Sequence, residues 1–497
     1  MDTLTRHVWF RERGSLVIIL LASFTFRSLM MGSRDLDLDE AFSFFLVTDH
    51  PLVDLLSPFS PAITSDAHPP VFYLFSHFWI ETGYRALRSL TAPRELAFRF
   101  PFALIGVLTT YIMFRVGSKV GDKKLGLFLA LAYGMNSFSV QISHQARMYP
   151  LVELLSATIL LQWFSLRPSS PLRDYTLLGL LSGLLFLTHY ASLFYLAVIW
   201  GMAFWRFRPR IRAILCGAMI SILSWAWWLP GLWTQMSREI AAGAQKGSTG
   251  AIIPFTLFHF LSGDRAISLG SPVSGGLHVL VILAVSLFLA LLLVFLWKIR
   301  HELPSVIVLS ALVFIPLVFH WLGTFKIHRI FNGTHYAIYS LPALLLLISA
   351  AIFHRRKEFP SLATVLIGLL FFVNAVTLFS FLNNSLVPYE PWKEASRAIR
   401  ACEPERVYIY PSYMSVLLRF YGPDLPMMGL SEECGEFAIG RNDVRQHIDR
   451  GKSILLVVSH DKGQGPCYQE IFRHTLEQRP YPYRFYNIRI YSFKDVS

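Results

Sequence analysis

Apolar runs of about 20 residues recur along the first three quarters of the chain, and each is long enough to cross roughly 30 Å of hydrocarbon as a helix. The chain is 54% hydrophobic, whereas a soluble protein of its 497 residues needs more polar surface. The pattern predicts a polytopic α-helical membrane protein with about eleven transmembrane helices. The predicted spans are residues 15–31, 100–116, 125–142, 148–165, 175–189, 191–205, 213–228, 277–297, 305–321, 336–353 and 361–381.

The basic residues lie in short clusters between the apolar runs, as at Lys123-Lys124 and Arg355-Arg356-Lys357. The net charge of +13 is therefore not gathered into one face or tail, which argues against nucleic-acid binding. The clusters fall in every second loop, so we expect these loops and the N-terminus to be cytoplasmic. We expect the first span to be a signal anchor that is retained and not cleaved. Residues 34–99 and everything after Asn383 are then exoplasmic. This predicts a multi-pass integral protein, most simply of a bacterial plasma membrane.

The tail, residues 383–497, has a higher charge density and shorter apolar runs than the transmembrane domain of residues 1–382. Its pattern predicts a C-terminal soluble α/β domain. Expected strands are 406–410, 453–458 and 485–491, and expected helices are 392–401, 412–421 and 469–478. Cys402, Cys434 and Cys467 leave room for one disulfide whose pairing the sequence does not decide.

The first exoplasmic loop opens with Asp35-Leu36-Asp37-Leu38-Asp39-Glu40. In an extended chain, Asp35, Asp37 and Asp39 would share one face and could hold a divalent metal or supply a general base. Alternatively, Asp39 and Glu40 begin a helix, where acids favour the positive end of the dipole. The sequence leaves both interpretations open, and with them metal dependence.

Cationic and aromatic residues gather where the predicted spans meet the exoplasmic surface. Each alone is more commonly a snorkelling anchor or an interhelical partner, but convergence on one membrane face suits an anionic lipid headgroup. The candidates are His68, Arg147, Tyr149, His189, Tyr190, Lys326, Arg329, His335 and Tyr336.

Several short motifs resemble those of the GT-C glycosyltransferases, specifically the dolichyl-phosphate-mannose-protein mannosyltransferase-like family 39, whose relatives include aminoarabinose transferases. The resemblance covers roughly residues 15–351. The matching motifs are Asp39-Glu40, His68-Pro69-Pro70 with Val71-Phe72-Tyr73, Arg99-Phe100-Pro101, Gly106, Arg147-Met148-Tyr149 and Thr188-His189-Tyr190, in the family's order.

The resemblance implies a GT-C-like fold and transfer of a sugar from a polyprenyl-phosphate-linked donor to a lipid, glycan or protein acceptor. It assigns the catalytic base to Asp39, with Glu40 as a companion acid. The family's Arg-Tyr pair is replaced by His335-Tyr336, which points to Lys326 or Arg329 for the phosphate. Two other classes, a flippase for a lipid-linked glycan and a membrane scaffold, remain alternatives.

Overall fold

The computed structural model describes residues 3–241, 252–263, 276–299, 304–324, 334–383, 390–430, 453–459 and 483–492. The chain forms two compact units. The membrane unit comprises Met1–Met31 and Leu46–Val387, and the tail unit comprises Gly32–Phe45 and Pro388–Ser497. The start of the first loop, which the sequence assigns to the transmembrane domain, therefore belongs to the same unit as the tail.

Up to residue 382, every described secondary-structure element is a helix. The helices are α1 (Thr3–Ser28), α2 (Leu38–Asp49), α3 (Leu52–Leu56), α4 (Pro61–Thr64), α5 (Val71–Trp79), α6 (Arg85–Ser89), α7 (Arg94–Val120), α8 (Lys123–Gly134), α9 (Ser137–Ser143), α10 (Tyr149–Ser165), α11 (Leu172–Phe186), α12 (Leu193–Arg206), α13 (Ile211–Ala226), α14 (Leu229–Ala241), α15 (Ile252–Ser262), α16 (Gly276–Ile299), α17 (Pro304–Thr324), α18 (Leu341–Arg355) and α19 (Pro360–Leu382). A π-helical stretch, Ile80–Tyr84, joins α5 to α6, and short 3₁₀ helices cover Tyr190–Ser192, Arg208–Arg210 and Thr334–Ser340.

Within the described residues, five helical segments are long and apolar enough to cross a membrane, or six if α8 and α9 count as one broken span. The five are Arg94–Val120, Arg208–Ala226, Val279–Trp297, Thr334–His354 and Pro360–Leu382. The predicted count of about eleven is not confirmed. Several other apolar helices are short: α11 has 15 residues and α12 has 14, below the roughly 20 that a bilayer core requires.

Helices α8 and α9 are bent by 57° across a break at Met135 and Asn136. The Asn136 side chain caps α9 by accepting the Ser139 amide at 2.9 Å, and its Nδ2 donates to the Phe260 carbonyl at 2.8 Å. The Ser137 amide donates to Asn374 Oδ1 at 2.7 Å. The freed amides at the break are therefore paired inside the bundle, as backbone at membrane depth requires. These bonds fix α9, which leads directly into the turn that carries Arg147.

Arg27 of α1 is fully buried, and its guanidinium is surrounded by acceptors from α1 itself and from neighbouring helices. It donates to Ser23 Oγ and to the Gly134 carbonyl, each at 2.8 Å. It also donates to Ser139 Oγ at 3.0 Å and to Ser143 Oγ at 3.2 Å. A buried cation is tolerated only with such partners, so this arginine ties α1 to the bent pair α8–α9.

The same network continues to Glu153 of α10. Glu153 Oε2 accepts the Tyr133 hydroxyl at 2.8 Å and the Ser139 hydroxyl at 3.0 Å. Ser139 thus bridges the buried arginine and the buried carboxylate. The absence of a side chain at Gly106 makes room for Arg27, because a Cβ there would lie 2.3 Å from its Nε.

The tail unit contains helices α20 (Trp392–Ala401) and α21 (Ser415–Tyr421), the short 3₁₀ helix Ser412–Met414, and a five-stranded sheet. The strands β1 (Arg406–Tyr410), β2 (Met427–Gly429), β3 (Ile454–Ser459), β4 (Tyr483–Phe485) and β5 (Ile488–Ser492) are arranged in the order β2-β1-β3-β5-β4. Strand β1 is parallel to β2 and β3, whereas β5 is antiparallel to β3 and β4.

The three strands expected in the tail are confirmed, but the third is one arm of a β4–β5 hairpin, and β2 was not predicted. Helix 392–401 is confirmed, and 412–421 is a 3₁₀ turn followed by α21. The expected helix 469–478, Cys434 and Cys467 lie outside the described residues. Cys402 is a free thiol that donates to the Ala398 carbonyl at 3.3 Å, so the predicted disulfide stays untested among the described residues.

Candidate functional site

A carboxylate and an imidazole are paired in the turn between α4 and α5 of the membrane unit. Asp66 Oδ1 lies 3.0 Å from His68 Nδ1, and the Tyr73 hydroxyl donates to Asp66 Oδ2. Burial raises the pKa of Asp66, but the charges of His68 and Arg147, together with the hydrogen bonds from His68 and the Ala67 amide, outweigh it and lower that pKa to about 2. The carboxylate is therefore ionised at neutral pH, and the shared proton lies on His68 Nδ1.

Arg147 approaches this pair from the turn between α9 and α10. Its Nη2 lies 3.5 Å from His68 Nδ1, and its Cζ lies 5.9 Å from the centre of the Phe72 ring. The arginine is only 4% exposed. A guanidinium is thus held against the imidazole in a nearly water-free setting, where its charge acts more strongly than at the surface.

His189, in the turn after α11, adds a second imidazole. Its ring centre lies 6.2 Å from that of His68, 6.0 Å from Tyr149 and 5.3 Å from Tyr336. The residue is 4% exposed, and its buried Nδ1 has no hydrogen-bond partner among the residues that the structure describes. An unpaired buried polar atom costs free energy, and in a functional site it commonly marks where a ligand binds.

His335 and Tyr336 complete the group from the 3₁₀ helix Thr334–Ser340. The His335 ring lies 4.8 Å from Tyr149 and 4.7 Å from Tyr336, and Tyr149 lies 6.4 Å from Tyr336. We call His68, Arg147, His189 and His335, with Tyr149 and Tyr336, the cation cluster. Six of the candidates predicted from sequence are therefore brought together.

The composition of the cation cluster suits a bound anion. Arg147 carries a positive charge, and the three imidazoles and two tyrosines supply ring N–H and hydroxyl donors. An anion with several acceptor oxygens can accept from several of these groups at once, and the low-dielectric setting strengthens each such bond. Chemically, the cluster can bind a phosphate and stabilise charge that develops on it.

Tyr190 lies in a hydrogen-bonded chain next to the His68 turn, and its predicted role in substrate binding stays a prediction. Its hydroxyl donates to Gln235 Oε1 at 2.5 Å and accepts from Trp228 Nε1 at 2.6 Å. Gln235 Nε2 in turn donates to the carbonyls of Ile63 and His68, at 3.2 and 3.0 Å. Tyr190 therefore supports the backbone of the His68 turn indirectly, through Gln235.

Asp66, Tyr73 and Gln235 support the site but were not predicted as members of it. The sequence contains one local indication that Asp66 contacts His68, since Asp66 precedes it by two residues in a proline-restricted turn. No local pattern indicates Gln235, because this residue binds the His68 carbonyl from 167 residues along the chain. Lys326 and Arg329 lie outside the described residues, so their predicted role in phosphate binding stays a prediction.

The acidic segment of the first loop lies in the tail unit and folds as the helix-start interpretation predicts. Helix α2 begins at Leu38, so the chain is not extended through Asp39. Asp37 and Glu40 form a reciprocal capping box: Asp37 Oδ1 accepts the Glu40 amide at 2.8 Å, and Glu40 Oε2 accepts the Asp37 amide at 3.0 Å. Two of the predicted acids therefore satisfy helix N–H groups that have no partner within the helix.

Asp35 also binds a backbone amide, that of Lys393, at 2.7 Å. The expected shared face of Asp35, Asp37 and Asp39 is therefore not formed: the Asp35 and Asp37 carboxylates accept from different backbone amides, and Asp39 lies in the first turn of a helix. Within the described residues, no three His, Cys, Asp or Glu side chains are grouped as a metal site. Asp39 is exposed in the first turn of α2, and its carbonyl accepts the Ser43 hydroxyl at 2.8 Å.

No protein-family model and no curated protein sequence matches this chain. Solved structures do match it. ArnT from Cupriavidus metallidurans, bound to undecaprenyl phosphate, is 14% identical with a TM-score of 0.53, over 97% of this chain and 98% of that one. The archaeal oligosaccharyltransferase AglB from Archaeoglobus fulgidus, in complex with an inhibitory peptide and a dolichol-phosphate, is 12% identical with a TM-score of 0.50, over 90% of this chain and 69% of that one.

The chain has the GT-C fold. Both matched proteins are GT-C glycosyltransferases, ArnT being an aminoarabinose transferase, so the fold expected from the motif resemblance is confirmed. The likeness to ArnT extends over nearly the whole of both chains, including the tail.

Proposed function

We propose that this protein transfers a sugar from a polyprenyl-phosphate-linked donor to an exoplasmic acceptor hydroxyl. The observation that carries the proposal is the cation cluster, in which Arg147 and three histidines converge, Arg147 and His189 are buried, and His189 Nδ1 has no protein partner among the described residues. The two matched GT-C proteins, bound to undecaprenyl phosphate and to dolichol-phosphate, support a donor of this class.

Transfer from such a donor requires two chemical tasks of the protein. The sugar is already activated by its phosphate, so the enzyme must stabilise the departing phosphate and deprotonate the acceptor. The cation cluster serves the first step, with Asp66 fixing the tautomer and orientation of His68. Asp39 serves the second as general base, and attack opposite the leaving group inverts the anomeric centre.

The donor class is tested with purified protein in lipid vesicles. We expect transfer of labelled sugar from a polyprenyl-phosphate-linked donor to an envelope extract, with release of polyprenyl phosphate. We expect no transfer from the corresponding nucleotide sugar, because an exoplasmic site is supplied in the cell by lipid carriers and not by nucleotide sugars, whose charged headgroups do not cross a bilayer unaided. Asp39→Asn protein, prepared in parallel, controls for contaminating activity.

Turnover with the nucleotide sugar alone would contradict the proposal. Movement of the lipid-linked sugar between leaflets without covalent transfer would instead indicate a flippase. The identity of the sugar and of the acceptor would follow from mass spectrometry of the products.

The topology belongs to the same proposal: about eleven spans, a cytoplasmic N-terminus and an exoplasmic tail. The alternation of basic loops supports it. Reporter fusions after Lys124 and after Lys357 should be cytoplasmic, and a fusion at the C-terminus should be exoplasmic. A cytoplasmic C-terminus would contradict the span count and the proposed side of catalysis.

A further inference from the structure

The segment Gly32–Phe45, which carries Asp39, belongs to the tail unit and contacts it near both of its ends. At the first end, Asp35 Oδ2 accepts the Lys393 amide at 2.7 Å. That amide lies in the first turn of α20, whose own N-cap residue, Pro391, makes no side-chain cap. Asp35 therefore caps a helix that lies 358 residues further along the chain.

A second bond at this end joins Leu36 to α21. The Leu36 amide donates to the Tyr421 hydroxyl at 2.7 Å, and Leu36 is only 2% exposed. This amide precedes α2 and is not needed for its capping box. The bond is therefore specific to the contact between the segment and the tail.

At the other end, the segment packs on α21 through aromatic rings. Phe44 meets Phe420 edge to face at 5.1 Å, and Phe45 meets the same ring at 6.5 Å. The Arg419 guanidinium lies 4.1 Å from the centre of the Phe45 ring. Aromatic pairs and cation–π contacts of this geometry are directional as well as apolar, so they fix the rotation of α2 about its axis.

Asp39 lies between these two sets of contacts, in the first turn of α2. The capping box of Asp37 and Glu40 fixes where the helix begins, and the contacts to α20 and α21 fix where the helix lies within its unit. We propose that the tail domain is a positioning scaffold for Asp39, with Asp35 and Tyr421 as the positioning residues. This inference rests on the proposed function, in which Asp39 is the base.

Positioning should appear in turnover more than in donor binding, because a small misplacement of a base slows the chemical step. We expect Asp35→Ala and Tyr421→Phe each to lower kcat about tenfold while KM for the donor stays within about twofold. Asp35→Asn keeps an amide oxygen that can accept the Lys393 N–H, so it should restore most of the kcat. That rescue separates the capping role from any need for a charge at residue 35.

The experiment uses the full chain in lipid nanodiscs and measures kcat, KM and amide hydrogen exchange of residues 37–45. Asp424→Asn is the matched control: it weakens an exposed pair with Arg400 in the same domain and does not touch the segment. We expect faster exchange in Asp35→Ala and Tyr421→Phe, near-normal exchange in Asp35→Asn, and none of these changes in the control.

Unchanged exchange in both Asp35→Ala and Tyr421→Phe would overturn the proposal, as would faster exchange with an unchanged kcat. A fall in kcat without faster exchange would also overturn it. If the unmodified protein transferred no sugar from any lipid-linked donor, the proposed function would fail, and the exchange measurement alone would decide whether the tail holds the segment.

Discussion

Asp39→Asn is expected to lower kcat by about 10²–10⁴-fold, the usual effect of losing a general base. An asparagine amide cannot take a proton from the acceptor hydroxyl, yet it has nearly the size of the carboxylate. Asp39 is exposed in the first turn of α2, where an amide is readily accommodated, so expression and membrane insertion should persist. Steady-state transfer kinetics with the lipid-linked donor measure the effect.

Asp37→Asn is the matched control, two residues away in the same segment. Its amide oxygen can still accept the Glu40 N–H, so the capping box and the activity should survive. Should Asp39→Asn turn over at nearly the normal rate while Glu40→Gln does not, the base would be Glu40 and the assignment to Asp39 would be wrong.

Much of the site was predictable because the sequence marks the ends of the apolar helices. His68, Arg147, His189 and His335 all lie where an apolar run meets a turn, and one set of helix ends brings them together. The bonds that fix them could not be predicted. Gln235 holds the His68 carbonyl from a distant helix, and no local pattern indicates such a contact.

The first-loop acids show why one pattern can predict two structures. Alternating Asp and Leu fits an extended strand, but the same residues also fit a helix start, where free N–H groups need acceptors. The helix start prevails because Asp37 and Glu40 satisfy each other's amides. Asp35 could not be assigned at all, since its partner lies 358 residues away.

Other features of the fold could not be predicted because the segments that form them are short. Strand β2 has only three residues, Met427–Gly429, too few to show an alternating pattern. Strands β4 and β5 appeared as one strand because the turn between them is only Tyr486 and Asn487. Helix length also makes the number of membrane spans hard to predict, because α11 and α12 are apolar but shorter than a typical span.

Arg27→Met is expected to lower the free energy of unfolding by about 3–5 kcal/mol, the usual cost of breaking a buried charge network by removing one partner. The change deletes the guanidinium's hydrogen bonds to Ser23, Gly134, Ser139 and Ser143. It also leaves the buried carboxylate of Glu153 without the nearby positive charge. Unfolding in mixed detergent micelles, titrated with a denaturing detergent, measures the loss.

Two further variants separate charge from hydrogen bonding. Arg27→Lys keeps the charge, but an ammonium has three donors and no planar fork, so it should recover only part of the loss. The double variant Arg27→Met with Glu153→Met replaces both charges by apolar side chains, and it should be more stable than Arg27→Met alone. Arg27→Met within about 1 kcal/mol of the unmodified protein would contradict a structural role for the network.

The same network bears on the cation cluster. Arg27 binds Ser139 and Ser143 on α9, while Glu153 on α10 accepts the Ser139 hydroxyl, so both helices that flank the Arg147 turn are tied to one buried group. Arg27→Met should therefore raise KM for the donor even below its unfolding midpoint, because Arg147 would be held less firmly. Loss of stability with an unchanged KM would confine Arg27 to folding and would mean that other contacts, such as the bonds of Asn136 and Asn374, suffice to fix the Arg147 turn.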